Sequence, residues 1–96
     1  MTELKIVATI VIKEAHKAEL LKAFHAVVDE TRKEKGNISY TLHQDAKNPL
    51  KFVILEVWQS EEAIDLHNAS THFDEFKKAI DGKIDSLSID IIKEIY

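Results

Sequence analysis

Two titratable side chains, Glu56 and His67, lie in a stretch of the chain that is otherwise rich in large apolar residues. The stretch runs from Phe52 to Phe76 and also contains Trp58. Histidine suits proton abstraction because its unperturbed pKa lies near neutrality. A carboxylate such as Glu56 can orient a histidine or, when removed from water, act as a base itself. Titratable groups among large apolar ones are typical of a small-molecule pocket, and we therefore predict that His67 and Glu56 are catalytic.

Five further side chains are candidates for substrate contacts. Trp58 offers a flat surface on which an aromatic ring can stack, although a tryptophan is also a common core residue. Tyr40 and Asn37 can donate hydrogen bonds to a developing oxyanion, and Asn37 equally suits a turn just past a helix end. We also assign His72 and Phe73 to substrate binding, although His72 fits the rim of a pocket as well as its interior.

The two catalytic candidates also have structural alternatives. His67 can cap the last carbonyls of its helix, and Glu56 can tie a strand to a helix as a buried hydrogen-bonding residue. A metal site formed by His43, His67 and His72 is a further alternative. No two of these histidines have the i, i+4 spacing that places two ligands on one helix face, so we predict that there is no metal site.

Composition limits the classes of function. Ninety-six residues predict a single domain, 1–96. The net charge is −4 and both signs are evenly spread, so we expect no nucleic-acid partner. The absence of cysteine excludes disulfides and thiolate metal sites. The chain has no apolar run of transmembrane length and does not start like a signal peptide, which predicts a cytoplasmic protein without a membrane partner.

Hydrophobic periodicity predicts the elements that must position these side chains. Alternating apolar residues predict four strands, over 4–12, 38–44, 52–58 and 86–96. A helical stripe predicts a helix over 17–34 between the first two strands, with Gly36 as a left-handed cap.

A broken helix is predicted between the third and fourth strands. Ser60 is a good N-cap for its first piece. Thr71 and Asp74 form a capping-box pattern that predicts the start of the second piece. Asp81 and Gly82 then end it.

The resulting order, β-α-β-β-α-β, is that of the ferredoxin-like α+β fold, a four-stranded antiparallel sheet with both helical segments on one face. The first, third and fourth strands carry apolar residues on both faces. Helices can cover only one face, so the other needs a partner. A second copy of the sheet in a two-fold homodimer is the simplest partner.

The string E-V-W-Q-S-E-E-A-I-D-L-H-N-A-S-T-H-F resembles the signature of the antibiotic biosynthesis monooxygenase (ABM) domain family. K-G-N-I-S-Y-T-L and N-P-L-K-F-V-I-L, which precede it, resemble the same family, so the likeness covers nearly the whole chain. The resemblance implies a dimeric α+β barrel of two ferredoxin-like sheets packed face to face. The family includes small quinol monooxygenases that use no flavin, haem or metal, an isomerase of a phosphorylated autoinducer sugar, and haem-degrading enzymes.

The function implied by the resemblance is cofactor-independent oxidation of a small aromatic or quinol substrate with O2, with His67 as base. An isomerase of the autoinducer-sugar type is the first alternative, but it should bind phosphate and Arg32 is the only arginine. A non-catalytic dimeric binding or stress module is the second alternative, and it predicts a filled interior. Haem degradation is disfavoured because Lys77 stands where those relatives carry their proximal histidine.

Overall fold

The computed structural model describes residues 3–96, and its elements follow the order β-α-β-β-α-α-β. The strands are β1 (Leu4–Ile12), β2 (Asn37–Gln44), β3 (Lys51–Trp58) and β4 (Ile84–Ile92). The helices are α1 (Lys17–Thr31), α2 (Glu61–Asn68) and α3 (Thr71–Ile80), with a 3₁₀ turn, Glu14–His16, before α1. The predicted ferredoxin-like order with a broken second helix is therefore confirmed.

The four strands form one sheet in the order β2-β3-β1-β4, and all neighbouring strands are antiparallel. The register places Ile6 opposite Glu56 and Leu4 opposite Trp58. Both polar candidates on β3 therefore lie inside the sheet rather than at its edge. Because side chains alternate along a strand, Glu56 and Trp58 point to the same face, which is the face that the helices cover.

The core fills the space between this face and the helices. The strands contribute buried Ile6, Ala8, Ile10, Ile12, Tyr40, Phe52, Ile54 and Trp58. The helices contribute buried Leu20, Phe24, Val27, Val28, Ala63, Ile64, Phe76 and Ile80. The ring of Phe24 lies 5.1 Å from that of Phe52 and 5.6 Å from that of Phe76, measured between centroids, so it joins α1 to β3 and α3.

Serine hydroxyls cap both short helices. Ser60 Oγ accepts a hydrogen bond from the backbone N–H of Ala63 at 3.2 Å, which confirms the predicted cap of α2. The cap of α3 was predicted at Thr71, but it is Ser70, whose Oγ accepts from the N–H of Phe73 at 3.2 Å. Ser70 has the extended backbone that an N-cap requires, whereas Thr71 is already the first helical residue.

The predictions for the end of α1 were wrong in two respects. The helix ends at Thr31 rather than at Glu34. Gly36 is not left-handed, because within residues 3–96 the only positive φ belongs to Gly82, at 75°. Gly36 is required for space instead, since a Cβ there would collide with Cβ of Ala63. The segment after α1 therefore packs directly on the first turn of α2.

The fourth strand ends at Ile92, short of the predicted end at residue 96. Its ladder with β1 ends where Ile92 pairs with Lys5, one residue after β1 begins at Leu4. Residues 93–96 consequently lack a strand partner on β1.

The two faces of the sheet differ in how well they are covered. On the face away from the helices, Val7, Val53 and Val57 are only partly buried and Leu55 is 41% exposed. β1 and β3 carry apolar residues on that face, as predicted, although Lys5 and Thr9 lie among them. On β4 the same face carries Ser86, Ser88 and Asp90, with Ile92 the apolar exception. The apolar row of β4 lies on the helix side, and about half of it is exposed: Leu87, Ile89 and Ile91.

Helix length and composition bear on membrane association. Within the part of the chain that the structure describes, no helix is both long enough and apolar enough to cross a membrane.

Candidate active site

A cavity of about 340 Å³ opens between the sheet and helices α2 and α3. Its polar lining consists of Tyr40, Glu56, His67, Asn68 and Lys77, and the rest of the wall is aliphatic or aromatic. The half-exposed row of β4 forms the outer side of the wall. A largely apolar cavity with a few convergent polar groups is the usual form of a small-molecule site.

His67 lies in the last turn of α2 and is 2% exposed. Three aromatic rings surround its imidazole: Phe73 at 4.6 Å, Trp58 at 4.8 Å and Tyr40 at 5.7 Å between centroids. The backbone carbonyl of His67 accepts a hydrogen bond from Ser70 Oγ at 2.7 Å. The imidazole itself is thus held in the wall of the cavity by aromatic packing on several sides.

Glu34 completes the site and was not among the residues predicted from the sequence. Its Oε2 atom lies 2.6 Å from Nδ1 of His67 and 2.7 Å from Nε2 of His72. These partners stand 33 and 38 residues further along the chain, so no local pattern connects them with Glu34. The one available clue was Gly36, because the close approach that it permits brings the segment after α1 against α2.

Burial moves the pKa values of His67 and Glu56 towards each other. Desolvation lowers the pKa of His67, and the hydrogen bond that His67 donates to Glu34 opposes this. Desolvation raises the pKa of Glu56 to about 7, while the hydrogen bond from Trp58 opposes the shift. At neutral pH the cavity therefore holds a neutral imidazole and a carboxyl group that is partly protonated, an arrangement suited to paired base and acid roles.

Tyr40 remains a phenol in this environment. Burial raises the pKa of its hydroxyl far above its usual range, and the negative charge of Glu56 adds to the effect. Tyr40 lines the cavity, so it can donate a hydrogen bond to a bound oxygen atom.

The remaining predicted site residues lie at different distances from the cavity. Phe73 lines it, whereas Trp58 is fully buried behind the wall and donates from Nε1 to Glu56 Oε1 at 2.9 Å. Asn37 lies outside the lining, and its Nδ2 donates to the backbone oxygen of Ser39 at 3.0 Å. His72 is outside the lining too, and reaches the site through Glu34. The structure thus gathers His67, Glu56, Tyr40 and Phe73 at the cavity.

The three histidines that were considered together as a metal site do not converge. His43 hydrogen-bonds to Thr41 Oγ1 at 2.9 Å, on strand β2. Within residues 3–96, Glu34, His67 and His72 offer ligand atoms that all lie within 4.8 Å of one another. Two imidazoles and a carboxylate suit first-row divalent metals. The two short N–O distances are those of hydrogen bonds to a carboxylate, however, and an ion would have to replace both.

We expect the Glu56→Gln substitution to remove a pH dependence of stability. The folded-state pKa of Glu56 is raised to about 7 from 4.5, so the folded protein holds a proton that the unfolded chain releases. The contribution of Glu56 to the free energy of unfolding therefore falls as the pH rises through this window, by on the order of 3 kcal/mol in total. Urea unfolding at about pH 5 and about pH 8 measures the difference.

The glutamine variant should lose most of this difference, because its amide oxygen still accepts from Trp58 but does not titrate. The exposed Glu75 on α3 provides a control, and Glu75→Gln should retain the wild-type dependence. If the free energy of unfolding depends on pH in the same way in the wild type and in Glu56→Gln, another group is responsible for the dependence.

Comparison with known proteins reveals a family and several close folds. The sequence profile of the family described as antibiotic biosynthesis monooxygenase matches residues 4–79. YcnE of Bacillus subtilis, whose name assigns it provisionally as a monooxygenase, is 35% identical over 69 residues, 72% of this chain and 73% of YcnE. The matched residues of the profile run from β1 into α3, and so include Glu34, Glu56 and His67.

Solved structures extend the similarity to the whole fold. The crystal structure of PA3566 from Pseudomonas aeruginosa has a TM-score of 0.94 and 28% identity, covering 100% of this chain and 97% of that one. A crystal structure described as antibiotic biosynthesis monooxygenase has a TM-score of 0.92 and 28% identity, covering 97% of this chain and 99% of that one.

Proposed function

This chain belongs to the antibiotic biosynthesis monooxygenase family, and from that membership we propose that it is a cofactor-independent monooxygenase of a small aromatic or quinol substrate. The observation that carries the proposal is a buried histidine, held by a carboxylate, in the wall of an apolar cavity. A volume of about 340 Å³ lies at the lower end of the range for ligand pockets, roughly 300–1,000 Å³. The cavity therefore suits one small ring system.

The reaction needs a base more than it needs a cofactor. His67 takes the hydroxyl proton of the substrate, and the resulting electron-rich anion passes an electron to O2. The ring radical and superoxide combine to a ring peroxide. Its O–O bond then breaks while the oxygenated ring carbon loses its hydrogen as a proton, so that carbon becomes a quinone carbonyl and the outer oxygen leaves with two protons as water. Glu56, partly protonated near neutral pH, can supply a proton to the departing oxygen. The apolar wall keeps water from the radical pair.

We further propose that the active form is a homodimer. On the face of the sheet that the helices leave uncovered, β1 and β3 contribute Val7, Val11, Val53 and Val57, and Leu55 at its centre is 41% exposed. A contiguous apolar surface of this kind is typical of an interface. A two-fold dimer would pack this face against its own copy.

The test of the proposed reaction is oxygen uptake by the purified protein with a panel of reduced quinones, in the presence of a chelator. We expect at least one quinol to be consumed faster than in the protein-free blank. The chelator excludes a trace metal as the source of uptake, and heat-denatured protein provides a control for surface-catalysed autoxidation. Uptake no faster than the blank for the whole panel would overturn the proposal.

The acid and base in this cavity also favour a second candidate, an isomerase that moves protons on a small ketone. His67 and Glu56 would suffice for it, and no oxygen is consumed. A phosphorylated substrate is disfavoured because the chain's one arginine, Arg32, donates from Nε to the backbone oxygen of Tyr40 at 2.9 Å. Lys77 is the one lysine or arginine in the described lining of the cavity.

A further inference from the structure

We propose that Glu34 is a positioning residue that fixes the tautomer of His67, with the proton on Nδ1 and the lone pair of Nε2 directed to the cavity. This inference deepens the proposed function, since it rests on His67 acting as the base. The tautomer, however, is a property of the resting protein and can be measured without substrate.

The hydrogen-bond geometry determines which nitrogen carries the proton. An ionised carboxylate only accepts hydrogen bonds. With Glu34 as a carboxylate, the contact of 2.6 Å between its Oε2 atom and His67 Nδ1 places the proton on Nδ1 of a neutral imidazole. Nε2 has no hydrogen-bond partner among residues 3–96. His67 lines the cavity whereas Glu34 does not, so the unprotonated nitrogen is on the side that a substrate would reach.

His72 prevents the carboxylate from turning away. Its Nε2 lies 2.7 Å from the same Oε2 atom of Glu34, on the first turn of α3. The side chain of Glu34 is 17% exposed and that of His72 is 21% exposed, so bulk water competes only weakly with these bonds. Two imidazoles from different helices thus hold one oxygen atom in place.

The charge of Glu34 also assists the reaction itself. When His67 accepts a proton it becomes a buried cation, which burial in an apolar wall disfavours. Glu34 offsets this by its hydrogen bond and its charge, whereas His72 acts in the opposite direction. The other titratable groups that face His67 are Tyr40 from β2, Glu56 from β3 and Lys77 from α3.

Long-range ¹H–¹⁵N correlation spectra of the full-length protein test the proposal directly, because the two imidazole nitrogens shift differently with and without a proton. In the wild type at about pH 8 we expect His67 to show a protonated Nδ1 and an unprotonated Nε2. A comparison with the His67→Gln spectrum assigns the signals. A protonated Nε2 in the wild type would overturn the proposal, whatever the activity.

Substitution of Glu34 tests whether this residue sets the tautomer. In Glu34→Gln we expect a mixture of tautomers and protonation of His67 at lower pH, because the charge is lost while the shape is kept. The amide oxygen of a glutamine can still accept the hydrogen bond from His67 Nδ1. Glu34→Leu removes this acceptor and is therefore the second variant. Glu61→Gln, which removes an exposed carboxylate from the first turn of α2, is the control and should leave the His67 signals unchanged. Unaltered His67 signals in both Glu34 variants would overturn the proposal.

Kinetics provide a second readout. With any quinol that supports oxygen uptake, Glu34→Gln should lower kcat at least about tenfold with little change in KM, as expected for a residue that acts through the base. An unchanged kcat would overturn the positioning role. If no quinol supports uptake, the proposed reaction fails while the spectroscopic test of the tautomer still gives a result.

Discussion

Replacement of His67 by alanine is expected to lower the rate of oxygen uptake at least about tenfold, since positioned general bases contribute roughly 10²–10⁴-fold. The substrate hydroxyl would then have to lose its proton without a base. Glu56 cannot fully substitute, because near neutral pH it is partly protonated. Steady-state oxygen consumption, measured as a function of pH, gives the loss of rate. The same profile shows whether the limb that reports the titration of His67 has disappeared.

Two comparisons separate a chemical loss from a structural one. His25→Ala removes an exposed histidine from α1 and should leave the rate unchanged. Added imidazole should partly restore the rate of His67→Ala, because the vacated space opens on the cavity. Circular dichroism shows whether the variant remains folded. An unchanged turnover number in a folded His67→Ala protein would remove this residue from the mechanism.

A charge at the centre of the uncovered sheet face is expected to break the proposed homodimer. In Leu55→Asp, dimerisation would bury a carboxylate next to its own copy, while Lys5 on the same face already pairs with Glu94 at 3.5 Å. Burying an unpaired charge costs on the order of 3–5 kcal/mol, which corresponds to roughly a hundredfold or greater rise in the dissociation constant. Sedimentation velocity over a dilution series measures the shift from about twice 11.0 kDa to 11.0 kDa.

Leu66 provides the matched control for this experiment. It is 73% exposed on α2, away from the sheet face, so Leu66→Asp should sediment as the wild type does. A wild type that sediments as a single chain at all concentrations would contradict the proposed homodimer. A Leu55→Asp variant that remains a dimer like the wild type would show that the interface lies elsewhere.

The sequence predicted best what depends on short-range periodicity. Alternation along β1 placed Ile6, Ala8 and Ile10 on one face, and the structure buries all three. The same rule placed Glu56 and Trp58 together, and they are joined by a hydrogen bond of 2.9 Å. These predictions succeed because a strand's side chains alternate whatever the rest of the chain does.

Predictions failed where packing between distant segments decides the outcome. Gly36 was interpreted as a helix cap from its local context, but its role depends on Ala63 in another helix. Glu34 was missed for the same reason, since both its imidazole partners lie in later elements. The apolar row of β4 could not be assigned to a wall of the cavity, because that requires knowing where the helices stop covering the sheet.

The chain contains a single tryptophan, and its indole lies 4.8 Å from the His67 ring. The protein therefore has a natural optical probe beside its cavity. Excited indole is sensitive to charge and to electron-accepting rings nearby. Intrinsic fluorescence should thus follow titration or ligand occupancy there without any added dye.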